Sequence, residues 1–432
     1  MSSPLHEISA AYSPVGETTP LFPAPASAGG VLPRGTCLSS YAALMSSMVG
    51  AGILALPASV AAVHLVPWLV LLAGTCGLAS ASLTCLTVAC DVTGEFSYEG
   101  LCARLCGRWT AALLRSLTLV ALFGGGVMFT IIAVDMLLPF CASYLSRPLL
   151  AALFSLAAFP LCLPKSLYVL TLPNVMVVLS AVYIAVVLCL RAQDERSWPS
   201  NAIDDEDDTS LVTLLFPPWR WRTLLGLAAT IPVQTLCFSC PFNFVRSYGE
   251  LATKDTMAPV THWLLVSGFV IYVVAAVAGF WCFRGHPPSD ILTGFDASDT
   301  AINSVRLALA VSMLFKVPMV FQPFRETLQV SWPDHTHSCA FHVLLALVCA
   351  YLSGGCAVTL IADDLTVLMA AVGTVAGIVL SYIVPGYLLW RTTATSLWLP
   401  DRIYYQHVAV ATITISSLLL VVVAAVPFLD DV

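Results

Sequence analysis

The chain has 432 residues, 59% of them hydrophobic and only 10% charged, with a mean hydropathy of +0.89. Soluble domains carry roughly 25% charged residues, so this composition excludes a water-soluble globular protein and points to one that crosses a bilayer many times. The formal net charge of −7 comes largely from one acidic loop and offers nothing to a nucleic acid.

Residues 1–36 are rich in Pro, Ser, Ala and Gly, without apolar periodicity and without a basic stretch leading into a short apolar one. They read as a disordered cytosolic tail rather than a signal peptide. The first apolar stretch, Ser39 to Val63, is long enough to span a membrane but is interrupted at Gly50-Ala51-Gly52 and again by Pro57. Lipid tolerates irregular backbone only where protein or a water-filled cavity meets it. The interruption is therefore either a kinked, closely packed helix or a place where helix gives way to ligand-binding backbone.

Pro67 to Cys90 makes a second span. Asp91 to Thr110 contains SYEGLCARLCG, whose apolar spacing fits either a short amphipathic helix at the membrane surface or an ordinary loop. The third span, Ala111 to Phe140, holds Gly124-Gly125-Gly126, which lets another element approach closely. Pro148 to Leu163 and Leu167 to Leu190 follow as the fourth and fifth. The connection 191–222 carries Asp204-Asp205-Glu206-Asp207-Asp208, which lacks the spaced ligands and glycine of a calcium loop and reads as solvated.

The sixth span, Thr223 to Gly249, breaks at Phe238-Ser239-Cys240-Pro241, because proline removes a backbone donor and clashes with the preceding turn. Spans near 261–283, 303–324, 339–360, 365–390 and 405–428 complete eleven. The interrupted spans are the first and sixth, five apart. That register makes two halves, about 37–190 and 223–390, an inverted five-plus-five repeat with an extra helix at 405–428.

Lys and Arg number ten on the inner side against seven on the outer when the amino terminus is cytosolic, and four of the seven (Arg191, Arg196, Arg220, Arg222) flank the acidic loop. The positive-inside rule then places the amino terminus in the cytosol. Lys316 lies deep in the eighth span, too far from either end to reach an interface easily, whereas Asp135 lies near the end of the third, within reach of water. His64 and His262 sit in or beside turns and read as interfacial. Most of the 15 cysteines fall inside apolar runs as free thiols, and only Cys141 and Cys282 stand at span ends where pairing is conceivable. No pair of CxxC motifs at zinc spacing occurs, so neither metal nor another cofactor is expected.

The segments SSMVGAGILALP, CFSCPFNFVRSYGEL, VRLALAVSMLFKVPMVFQPFRETL and DDLTVLMAAVGTVAGIVLSYIVPGYLLW together resemble the amino acid/auxin permease family. That family includes sodium-coupled neutral amino acid transporters and trypanosomatid amino acid permeases, and the first segment is most similar to the latter. The resemblance covers roughly 37–428 in order and spacing. It implies an all-α polytopic membrane protein of eleven transmembrane helices with a LeuT-like inverted repeat, broken helices one and six, and amino acid transport.

Carried onto this chain, the resemblance implies that the backbone of Val49, Gly50, Ala51, Gly52 and Ile53 receives the substrate carboxylate, as exposed N–H groups at a half-helix start bind anions. Phe238, Ser239 and Cys240 would offer carbonyls to the α-amino group, and Gly125 and Met128 would shape selectivity. Ser46 stands where sodium-coupled members carry Asn, and Leu314 and Lys316 occupy hydroxyl-bearing positions of the eighth span. Ser46 and Lys316 are therefore the ion-coupling candidates. An ammonium can supply from the protein the positive charge that sodium brings elsewhere, and burial disfavours a charged amine, so such a lysine is suited to exchange a proton. The expectation is a sodium-independent secondary carrier, proton-coupled or a uniporter. It would act as a monomer in the plasma membrane, with an acidic organelle compatible.

Two other classes compete. A nutrient sensor would keep both breaks but needs a structured partner-binding tail, a pattern residues 1–36 lack. A membrane enzyme would need a nucleophile–base set, and neither GxSxG nor HExxH is present; the absence of GxxxxGK[ST] argues against direct use of ATP.

Overall fold

The structure, a computed structural model, describes residues 35–50, 52–141, 144–164, 170–193, 221–296, 298–331, 340–359, 365–396, 399 and 401–429. The leading tail, the acidic run at 204–208 and Ala51 fall outside these residues. The described part is all helix apart from turns and one isolated bridge, Gly35 to Leu251.

The first span is two helices, α1 (Cys37–Met48) and α2 (Gly52–Val63), bent by 52° at the glycines. A reciprocal cap starts α1: Thr36 Oγ1 accepts from Ser39 N, and Ser39 Oγ accepts from Thr36 N. α3 (Leu65–Thr93) follows after His64 alone, whose φ of 65° makes the tight reversal. SYEGLCARLCG forms a short helix, α4 (Tyr98–Leu105), capped by Ser97 and packed into the bundle through Tyr98, Leu101, Cys102 and Leu105. Its Glu99 is buried too, and that burial pushes the carboxyl up from its ordinary range.

Beyond it run α5 (Arg108–Cys141), α6 (Arg147–Cys162) and α7 (Thr171–Gln193). The sixth span divides into α8 (Trp221–Cys237) and α9 (Pro241–Glu250), with Pro241 at the first helical position, where its missing N–H costs nothing. The remaining elements are α10 (Met257–Cys282), α11 (Thr300–Ser331), α12 (Ala340–Thr359), α13 (Leu365–Val372), α14 (Val384–Thr395) and α15 (Arg402–Leu429). Between α13 and α14 the chain winds as a π-helix, Gly373–Ile383, in place of the plain helix that the tenth apolar run predicts.

Among the described residues eight helical stretches are long and apolar enough to cross a membrane, and the bent α1–α2 pair makes a ninth. Two shorter apolar helices, Arg147–Cys162 and Leu345–Val358, stand where the fourth and ninth spans are expected. α5 lies along α11, α10 packs on α7 and α2, and α8 packs on α2, so the two broken spans lie side by side. The described cysteines, Cys141 and Cys282 included, are free thiols, and Asp135 pairs with Arg147 at 3.0 Å.

The three glycines of α5 have separate roles. A Cβ on Gly126 would fall 2.1 Å from Tyr351 Oη, whose hydroxyl donates to Leu122 O at 2.9 Å, and a Cβ on Gly124 would fall 2.9 Å from Val372. On Gly125 it would stand 3.7 Å from Val320, an ordinary contact. The buried Tyr351 ring is wedged between Phe123, Phe321 and Phe324 and has nowhere to retreat. Gly126→Ala should therefore destabilise the protein by about 1–3 kcal/mol through overpacking. Gly125→Ala should leave the melting temperature in detergent unchanged or raise it. Equal melting temperatures for the two variants would contradict this packing.

Candidate functional site

Breaking a helix inside a membrane exposes carbonyls that water cannot satisfy. At the end of α1, Val49 N still donates to Met45 O at 2.8 Å, and then the regular ladder stops. The exposed carbonyls are met by one side chain from α11. Lys316, 1% exposed, donates to Ser46 O at 2.6 Å, to Ser47 O at 3.5 Å and to Val49 O. An ammonium has three protons and no acceptor, so this cage uses it fully. The charge also sits 5.1 Å from the Phe129 ring centroid, within cation–π range. It neutralises the negative end of the α1 dipole as well.

Gly50 is part of this arrangement, because a Cβ there would lie 2.9 Å from Lys316 Nζ. Gly52 serves a different contact: its Cβ would fall 2.5 Å from Cys237 Sγ, so the second break approaches the first across a residue that must stay bare. Ser46 meets Lys316 through its carbonyl, not its hydroxyl, and Ser46 Oγ is buried without a hydrogen-bond partner.

The sixth-span break is held by neutral groups. Tyr272 donates to Cys237 O at 2.7 Å and Tyr382 to Thr235 O at 3.2 Å, closing the carbonyl end of α8. The π-helix supplies the next partner. Its Ser381 Oγ reaches Ala376 O at 2.6 Å and Ser239 Oγ at 2.6 Å. Gly373 and Gly377 let this segment close on α8, where a Cβ would meet Pro232 O at 2.6 Å and Thr235 Oγ1 at 2.8 Å.

Between the breaks lies a cavity of about 90 Å³, several times the ~10–15 Å³ one water requires. Of the residues singled out in the sequence, Gly50, Gly52, Gly125, Met128, Ser239, Cys240 and Lys316 line it. Of the others, Ala51 lies outside the described residues, and Ser46, Val49, Ile53 and Phe238 are not part of the lining. Val49 O is taken by Lys316, Ile53 N donates to Gly50 O at 3.2 Å, and the Phe238 ring stacks edge-on against Tyr272 in the core. Reading by sequence missed Asn243, Phe129, Met319, Val320, Val372 and Ala376. Asn243 alone carried a signal, as a carboxamide two residues beyond the proline of a membrane break.

A model of the family described as transmembrane amino acid transporter protein matches residues 33–428. The human solute carrier family 38 member 8 is 27% identical over 74% of this chain and 74% of its own length. The Xenopus laevis sodium-coupled neutral amino acid transporter 7 is 25% identical over 71% and 67%. The vacuolar amino acid transporter 2 of Saccharomyces cerevisiae is 20% identical over 80% and 74%. Among solved structures, MhsT in complex with L-phenylalanine superposes with a TM-score of 0.62 at 12% identity, over 92% of this chain and all of that one. A Na+-coupled sialic acid symporter gives 0.55, also at 12% identity, over 92% and 90%. These likenesses establish the LeuT-type fold, and the family match across almost all the spans establishes the lineage. The chain is a multi-pass integral membrane protein of the transmembrane amino acid transporter family.

Proposed function

We propose that the protein is a secondary carrier moving amino acids by alternating access without sodium, either coupled to protons or as a uniporter. The observation that carries the sodium-independent reading is the Lys316 cage. The ammonium occupies the carbonyl end of the broken first span, and three protein carbonyls already surround it. A cation built into the chain leaves no unmet negative end for sodium to fill. Amino acid as the substrate class is supported by the family and by relatives named as amino acid transporters.

In this reading the substrate carboxylate meets backbone N–H groups at the first-span break, at Gly50 and Gly52, which line the cavity, and the α-amino group meets carbonyls at Phe238–Cys240. Gly125 and Met128 set the size of the side chain accepted. Arg147–Cys162, 16 residues and about 24 Å long, and Leu345–Val358 cross the membrane as the fourth and ninth of eleven spans. The halves 37–190 and 223–390 form the inverted repeat, with 405–428 outside it, and the tail at 1–36 faces the cytosol. The protein works as a monomer. The plasma membrane is its default place, and an acidic organelle suits the same chemistry, in keeping with two relatives named as vacuolar.

Proteoliposomes holding the purified full chain should take up at least one member of a labelled amino acid panel equally well in sodium and in choline. Strict dependence on sodium would sink the cage as the coupling device. Lys316→Ala leaves the Ser46 and Val49 carbonyls unmet and should cut uptake at least about tenfold, since a lost buried charge-assisted bond is worth about 1.5–3 kcal/mol. A variant with normal rates and normal pH dependence would make the lysine a bystander.

Gly52→Val should abolish uptake while expression and membrane insertion remain intact, because the side chain collides with Cys237 at the meeting of the two breaks. Saturating substrate should slow modification of Cys240, which lines the cavity, by a small thiol reagent, and leave the exposed Cys349 unaffected. Equal rates at Cys240 with and without substrate would place the site elsewhere.

A further inference from the structure

The cavity wall is apolar except at a few atoms, and nearly all of those are engaged. Lys316 is spent on three carbonyls, Ser239 Oγ is bonded to Ser381 Oγ, and Ser47 Oγ donates to Ala43 O at 2.9 Å. No Asp, Glu or Arg is among the described residues that line it. Asn243 differs. It is 6% exposed, and its Nδ2 donates to Ser47 Oγ at 2.8 Å and to Met319 O at 3.1 Å. A main-chain carbonyl can only accept, so the bond to Met319 O fixes which end of the amide is nitrogen. That leaves Oδ1 buried and without a partner in a residue lining the cavity. A buried unsatisfied acceptor costs its full desolvation penalty unless something supplies a donor.

We infer that Asn243 reads the substrate's side chain: Oδ1 accepts a hydrogen bond from a neutral N–H or O–H, so amide- and hydroxyl-bearing amino acids bind in preference to isosteres lacking the donor. This rests on the cavity being the amino acid site. The geometry also argues against charged side chains. Among the described residues of the wall a carboxylate finds no unspent cation, and an ammonium or guanidinium finds no carboxylate to offset its desolvation. Asn243 is well placed for this task because it is fixed on two sides. Its anchors are α1, through Ser47, and α11, through Met319, so the acceptor is held rigid and loses little entropy when a donor arrives.

The test compares pairs of similar shape as inhibitors of uptake by the full chain in proteoliposomes: threonine against valine, and glutamine against the γ-methyl ester of glutamate. In each pair the first member has the donor and the second lacks it. The inference predicts that at least one pair is separated by about tenfold or more in inhibition constant, as a site built around a hydrogen bond rejects an analogue without it. In Asn243→Leu that ratio should fall to near one. A merely structural role for Asn243 would weaken both members of a pair alike and preserve the ratio.

Uptake of amino acids with both ratios near one in the unmodified protein would overturn the role of Asn243 and leave amino acid transport standing. That comparison needs no variant and decides the matter even if Asn243→Leu fails to fold. A large ratio that survives in Asn243→Leu would assign the recognition to another group. No uptake or binding of any amino acid would remove the transport reading and this inference together.

Discussion

The ammonium of Lys316 at the cut end of α1 is the interaction on which the rest of the centre depends. A helix that stops in the middle of a membrane leaves carbonyls with no water to turn to, and each unmet group costs several kcal/mol. One lysine from α11 answers those of Ser46, Ser47 and Val49. The consequences reach outward. Gly50 must lack a side chain to admit the amine, Phe129 presents its ring to the charge, and α11 is bound to α1 at the depth where the first span bends. Asn243 repeats this link one turn away, joining α9 to the same two helices through Ser47 and Met319 O.

The two breaks are stabilised by different means. At the first, a full positive charge from the protein neutralises the helix end. At the second, hydroxyls from Tyr272, Tyr382 and the Ser239–Ser381 pair satisfy or flank the backbone without adding charge. The sixth-span break therefore carries no full positive charge of its own, while the first-span break does. On the reading proposed above, this division suits a zwitterion whose carboxylate meets the N–H-rich start of α2 and whose ammonium meets the carbonyls of Phe238–Cys240. The π-helix belongs to this second arrangement: its bond from Ser381 Oγ to Ala376 O orients the hydroxyl that meets Ser239.

The features visible in the sequence were those that violate the rules of a membrane helix. A glycine pair within an apolar run, a proline after Phe238-Ser239-Cys240 and a lysine among apolar residues each breach a strong constraint, and the glycines, the lysine and the Ser239-Cys240 pair just before the proline line one cavity. What stayed hidden obeys the rules locally. The π-helix occupies an apolar run in which one extra residue per turn shifts the phase without altering the composition. Asn243 sits in a short helix with other polar residues, so nothing local distinguishes its orientation from that of Arg246 or Ser247. The approach of Cys237 to Gly52 is a contact between halves of the chain, and spacing along the sequence carries no trace of it. α11 continues to Ser331, past the expected end near 324, because Glu326 finds Arg246 at 2.5 Å and polar residues can remain helical there.

The central claim is that the protein's own ammonium, not a bound sodium ion, completes the first break. Equilibrium binding of a transported amino acid to the purified protein, with sodium varied against choline at constant ionic strength, measures this without the complications of flux. The account predicts one dissociation constant across the whole range of sodium. A dissociation constant that falls steadily as sodium rises would show that the ion takes part in the site and would contradict it.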